Sequence, residues 1–232
     1  MKKILVLAPV MPQQSDLESL ANTLSFLQEG NQIDFIDPLS ITEKFSQAAY
    51  YEFWQNELKK KILHYDALFG FSFGGIILQQ CFPGFAGIRK PIILFSTPTF
   101  ADRTLEEKLG KVIRLSREKR IDEALYALYS PVFYPNHPPQ EVLTTHNKKS
   151  AARRLIFGLQ RVLHTDSRTI LQETEVTHLH LIGEHSQLVN RTNVNAPKTG
   201  RLVEVPGAGM RVLQNNPAYC HKLIMEWLND AV

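Results

Sequence analysis

Short unbroken apolar runs alternate along the chain with stretches in which apolar residues return every three or four positions. Ile4 to Ala8 is the first run, ended by Pro9 and Pro12. Leu17, Leu20, Ala21, Leu24 and Leu27 then recur at helical spacing until Gly30. Gln32 to Ile36, Ala67 to Phe71 and Pro91 to Phe95 repeat the short apolar pattern, with a helical stretch from about Tyr50 to His64 and another from Ile76 to Phe82. Short continuous apolar runs are what strands buried on both faces require. From Asp102 to Glu173 no strand pattern appears. Three amphipathic helical stretches stand there instead, around Leu105–Ile113, Ile121–Leu128 and Leu155–Leu163, punctuated by Pro131, Pro135 and Pro138-Pro139. Strand patterns return at His178 to Ile182 and Leu202 to Val205, and Pro217 opens a closing helix.

Strand–helix alternation of this kind predicts an α/β fold, a mostly parallel sheet of about six strands with helices on both faces. Residues 1–98 and 174–232 are expected to form the core. Residues 99–173 are expected to form a helical lid above the carboxyl ends of the strands, where such folds bind ligands.

Composition narrows the functional classes. The chain has 232 residues, 44% of them hydrophobic, which suits one domain with an insertion. A formal charge of +3 argues against nucleic-acid binding without a concentrated basic patch. No apolar run approaches the roughly 18 residues a membrane span needs. Cys81 and Cys220 are too few for a disulfide framework and read as reduced core thiols. The start MKKILVLAPV reads as a buried strand rather than a secretory signal, so a cytoplasmic location is expected.

The chemistry is concentrated in Gly70-Phe71-Ser72-Phe73-Gly74-Gly75, at a strand-to-helix junction. A serine at so sharp a turn needs glycine two residues away on either side, because a side chain at 70 or 74 would strike neighbouring backbone. The pattern resembles the nucleophile elbow of the α/β-hydrolase superfamily, and in particular its small lidded esterases and thioesterases. The resemblance covers nearly the whole chain and implies Ser72 as the nucleophile position. The backbone N–H groups of Phe73 and Val10 are then the oxyanion donors. Val10 follows Pro9, where the family usually has His-Gly, and Pro9 has no N–H to give.

The same resemblance implies a triad acid after the penultimate strand and a histidine after the last. The first context reads Gly183-Glu184-His185-Ser186-Gln187-Leu188-Val189, so Ser186 stands at the acid position. The second reads Pro206-Gly207-Ala208-Gly209-Met210, so Met210 stands at the histidine position. A serine hydroxyl without a base is a poor nucleophile. His185, next to Ser186, is the possible substitute base, with Glu184 or Asp16 orienting it. His137 and His146 read as exposed lid residues. His178 and His180 share one strand face but have no third ligand beside them, so no metal and no cofactor is expected.

Between Asp102 and Arg161 there are twelve Lys and Arg against seven Asp and Glu, densest at Lys148, Lys149, Arg153 and Arg154. That patch is a solvated helix face or a docking surface for an anionic partner, an acyl carrier protein or a coenzyme A thioester. Phe100, Leu109, Ile113, Leu125 and Phe157 are candidates for lining an acyl pocket. The expected function is binding of an acyl ester, thioester or other small apolar ligand with weak or no hydrolysis. The alternatives are an active serine esterase or thioesterase working through His185, a non-hydrolytic lyase or cyclase, and a scaffold.

Overall fold

A computed structural model describes residues 1–41 and 45–230. Positions 42–44 and 231–232 of the expected core segments lie outside the described residues. Among the described residues six strands form one sheet: β1 (Lys2–Leu7), β2 (Asn31–Ile36), β3 (Ala67–Phe71), β4 (Ile92–Phe95), β5 (His178–Gly183) and β6 (Gly200–Val205). All pair in parallel in the order β2-β1-β3-β4-β5-β6.

Period-two geometry splits each central strand between two cores. Leu5 and Leu7 of β1, Leu68 of β3 and Ile92 and Leu94 of β4 enter one core. Ile4, Val6, Phe69, Ile93 and Phe95 enter the other. Helices α1 (Leu17–Thr23) and α2 (Ser25–Gln28) cover the second face, through Leu20 and Leu27. The single helix expected over 17–27 is interrupted at Leu24. There, tight bonds from the Leu24 N–H to Ala21 and from the Leu27 N–H to Leu24 draw a fully buried leucine inward. The first face is covered by α3 (Gln47–Lys61) and α4 (Phe73–Cys81), through residues such as Trp54, Leu58 and Ile77.

Between β4 and β5 the chain forms α5 (Arg103–Arg117), α6 (Ile121–Phe133), α7 (Lys148–His164) and α8 (Arg168–Glu173), with no strand among them. Asp102 caps α5, its Oδ1 accepting from the Leu105 N–H at 2.8 Å, and Asn147 caps α7 through the Ser150 N–H at 3.0 Å. Helix α6 continues through Pro131 to Phe133 rather than stopping there; Pro131 is buried and forfeits its bond only in the last turns. Helices α9 (Val212–Asn215) and α10 (Pro217–Asp230) close the chain against the second face.

Helix α7 is tied to the sheet by one buried arginine. Arg154 Nη2 meets Asp37 Oδ2 at 2.8 Å, and Arg154 Nε donates to the Met11 carbonyl at 2.8 Å. The two charged side chains are 8% and 2% exposed. This corrects the expected basic patch: Arg154 points inward and is not available to a docking partner. Lys148, Lys149 and Arg153 remain exposed, with Lys148 paired to Asp122 at 2.6 Å.

The strand order changes direction at β1, whose neighbours β2 and β3 lie on opposite sides. The carboxyl ends of β1 and β3 therefore flank a topological switch point, the usual place for a ligand in an open parallel sheet. Pro9 and Val10 follow the first of these ends, and Ser72 follows the second. Among the described residues, no helix is long and apolar enough to cross a membrane.

Candidate functional site

Ser72 sits between β3 and α4 with φ 47° and ψ −107°, a region that costs a residue with a side chain on the order of 1–3 kcal/mol. The turn is held from both ends. The Ser72 N–H donates to the Phe95 carbonyl at 2.9 Å, and the Ser72 carbonyl accepts from the Ile76 N–H at 3.1 Å. Close approach explains the two glycines. A Cβ on Gly70 would lie 2.6 Å from the Gly75 Cα, and one on Gly74 would run into the carbonyl of Leu7. The N–H groups of Phe73 and Val10 donate to no acceptor among the described residues, and neither does the Ser72 hydroxyl bond to any of them. Of the three residues, Ser72 and Val10 line a cavity where a ligand can meet them.

Ser72 opens into a cavity of about 230 Å³. The core contributes Pro9, Val10, Phe71 and Ser96, and the insertion contributes Leu105, Leu109, Leu128, Tyr129, Val132 and Phe133. Of the five side chains expected to line an acyl pocket, only Leu109 does so. Ile113 and Leu125 are buried in the helical core, and Phe157 packs against Tyr50. Phe100 lies under the guanidinium of Arg168.

Met210 lines the cavity, and its carbonyl accepts from the Ser96 hydroxyl at 2.6 Å. Its thioether cannot hold a proton for Ser72. Ser186 is buried outside the lining, and its Oγ accepts from the Val189 N–H at 3.2 Å, a turn-capping role. His185 also lies outside the lining. Its imidazole is half exposed, and Nε2 stands 3.8 Å from Glu184 Oε2. The expectation of a substitute base at His185 is corrected on that geometry: its N–H and the Ala208 carbonyl bond at 2.8 Å, which fixes the loop with the ring toward solvent. His137 and His146 are exposed. His178 and His180 are buried on β5, away from the cavity lining. Among the described residues, no three His, Cys, Asp or Glu side chains gather into a metal-binding group.

The titratable groups that do line the cavity are Asp16, Tyr129 and Arg211. Burial pushes the Asp16 carboxyl up from its ordinary value, against the opposing effects of the Gln13 N–H and the Arg154 charge. Burial raises the Tyr129 phenol and lowers the Arg211 guanidinium. Tyr129 and Arg211 are the residues that sequence reasoning missed. Tyr129 sits in a helical run whose apolar spacing drew attention elsewhere, and Arg211 was visible only as the residue following Met210.

No protein-family model matches the chain, and no curated protein does. Solved structures resemble it closely in shape. MGS-M2, an α/β-hydrolase enzyme from a Medee basin deep-sea metagenome library, superposes with a TM-score of 0.76 over 98% of this chain and 90% of its own, at 13% identity. The esterase EaEST from Exiguobacterium antarcticum gives a TM-score of 0.71 over 99% and 92%, at 14% identity. MenH from S. aureus gives 0.68 over 99% and 94%, at 15% identity. The protein therefore has the α/β-hydrolase fold. At such identities the likeness speaks for the fold alone.

Proposed function

We propose that the protein binds an acyl ester, thioester or similar small apolar ligand in the cavity over Ser72, and hydrolyses it weakly or not at all. The observation that carries this reading is the composition of the lining: among the described residues, Ser72 shares its cavity with no imidazole. In serine hydrolysis an imidazole takes the hydroxyl proton during attack and returns it to the leaving group. Met210 performs neither transfer. What remains is the free N–H pair at Phe73 and Val10 and a cavity shaped by apolar side chains. In the general case such remnants leave a residual acceleration of roughly 10³–10⁴ over water.

The open volume of about 230 Å³ favours ligand binding over a pure scaffold, whose cleft would be filled by side chains. In this reading the helices between β4 and β5 act as a lid. Lys149 and Arg153, exposed on α7, are the part of the basic face that an acyl carrier protein or coenzyme A phosphate would meet. One observation favours a second reading. Asp16 places a carboxyl with a raised pKa in the same cavity, which suits proton transfer in a lyase or cyclase that forms no bond to Ser72.

Intact mass after incubation with a fluorophosphonate, beside a Ser72→Ala control, tests the primary reading. No adduct on the folded protein is expected. Stoichiometric labelling that disappears in the control means that Ser72 is activated, and the reading is wrong.

A further inference from the structure

Among the described residues two arginines, Arg154 and Arg161, are buried, and of their guanidinium nitrogens the Arg161 Nε is left without a partner. Arg154 is held by Asp37 and the Met11 carbonyl. Arg161 donates to the carbonyls of Phe157 and Phe45. Arg211 lies in the cavity wall, half-buried, with its guanidinium carbon 4.0 Å from the centre of the Phe133 ring. Among the described residues it has no carboxylate within 4.0 Å and makes no side-chain hydrogen bond. A planar cation flat on an aromatic ring keeps its N–H edge free for a planar anion. The ring beneath it is fixed in turn by Tyr129, one helical turn earlier on α6, whose ring meets Phe133 edge-on at 5.8 Å. Tyr129 lines the same cavity, and its hydroxyl also has no hydrogen-bond partner among the described residues. Two donors without protein acceptors thus stand in the wall of a mostly apolar cavity, where an acceptor on a ligand would complete them.

We infer that Arg211 and Tyr129 form an anion subsite, and that the ligand of the Ser72 cavity is an acyl compound carrying a carboxylate. The inference rests on the reading of that cavity as an acyl-binding site and adds the charge of its occupant. The carboxylate accepts two parallel N–H bonds from Arg211 and one O–H bond from Tyr129, while the acyl chain runs along Leu109, Leu128 and Val132. Asp16 is the opposing charge in the lining. Its Oδ2 accepts from the Gln13 N–H at 3.1 Å, and it lies beyond 4.0 Å from Arg211, so it does not neutralise the guanidinium.

Calorimetric titration of the full chain with hexanoate and with hexanamide, near-isosteric probes that differ in charge, tests this. Wild type is expected to bind hexanoate roughly tenfold or more tightly than hexanamide. Arg211→Gln is expected to erase that preference by weakening hexanoate more than hexanamide, and Arg211→Lys to keep part of it. Equal binding of the two probes by wild type overturns the anion subsite and leaves the acyl cavity standing. An equal loss of both probes in Arg211→Gln, with the fold intact by circular dichroism, overturns it too, since Arg211 then acts only by shaping the cavity. Binding of neither probe overturns both the subsite and the acyl-cavity reading.

Discussion

The Ser96 hydroxyl donates to the Met210 carbonyl at 2.6 Å, so the end of β4 holds the loop after β6 in place against the Ser72 cavity. Ser96 adopts φ 44°, close to the φ of 47° at Ser72, and two strained serines thus stand side by side at the ends of adjacent strands. The anchored bond is to backbone, not to the Met210 side chain. The loop can therefore keep its course when residue 210 is changed.

That relationship makes the missing base testable by restoration. Met210→His together with Ser186→Asp is expected to raise the rate of fluorophosphonate labelling of Ser72 by roughly 10²-fold or more, the scale of a positioned general base. Met210→His alone is expected to give less, because an unoriented imidazole holds the wrong tautomer part of the time. Labelling rates by intact mass decide it. A double variant that folds yet labels no faster means that position 210 does not present an imidazole to Ser72.

The elbow predicts opposite outcomes for two chemically identical substitutions. Gly74→Ala pushes a methyl group into the Leu7 carbonyl, and neither partner is a flexible side-chain end. A loss of about 1–3 kcal/mol or more is expected, with a shift of the β3–α4 junction. Gly110 lies inside α5 with nothing within 4 Å of an added Cβ. Gly110→Ala is expected to gain about 1 kcal/mol from helix propensity. Urea unfolding of both variants gives the comparison. A Gly74→Ala protein as stable as wild type contradicts the close approach.

The buried pair of Arg154 and Asp37 predicts non-additive losses. Arg154→Met leaves the Asp37 carboxylate buried with only the Leu39 N–H at 2.9 Å, and a loss of roughly 3–5 kcal/mol is expected. Asp37→Asn together with Arg154→Met is expected to recover part of it, since no unpaired charge is then left inside. Lys149→Ala and Arg153→Ala, on the exposed face, are expected to change stability by less than about 0.5 kcal/mol. Denaturant midpoints of the four proteins separate a structural arginine from a surface one. Equal effects of Arg154→Met and Arg153→Ala contradict this assignment.

Six strands were legible because a doubly buried strand writes itself as a short apolar run, and Ile4 to Leu7 splits between the two cores as period two requires. The turn at Ser72 was legible because steric demand fixes glycine at 70 and 74 locally. The cavity wall was not. Helical spacing tells which face of α5 or α6 is buried, not whether it meets a neighbouring helix, as at Ile113 and Leu125, or empty space, as at Leu109. Arg154 was unreadable for a related reason. Its partner Asp37 lies 117 positions away in sequence and is brought to it only by the crossing of α7 over the end of β2. A charge run gives no sign that one member turns inward. Arg211 and Tyr129 come together through the same long-range packing, so neither sequence neighbourhood announces the pair.

Buried neutral histidines set the acid limit of the fold. His178 and His180 are 1% and 0% exposed on β5, their rings 6.4 Å apart. Around them stand the Phe82 ring, the Val176 carbonyl at 2.9 Å from His178 Nδ1 and the Thr97 N–H, which donates to His180 Nε2 at 3.2 Å. Burial, and for His180 the neighbouring His178, hold the two imidazoles down at about 4 and about 3. The unfolded chain binds protons at both near pH 6.5, so it carries more protons than the folded one between about 6.5 and those lower values. Their contribution to stability is therefore fully present above about pH 6.5 and is lost as pH falls below it, by about 1.4 kcal/mol per pH unit for each histidine in that window. Asp16, raised by burial, works in the opposite sense, because the folded protein then binds its proton more readily. The difference between wild type and His178→Leu isolates the histidine effect. Urea midpoints of wild type are expected to drop from pH 7 to pH 4.5 more steeply than those of His178→Leu. Parallel profiles for the two proteins would mean that His178 titrates alike in the folded and unfolded chains, and that its burial does not suppress its charge.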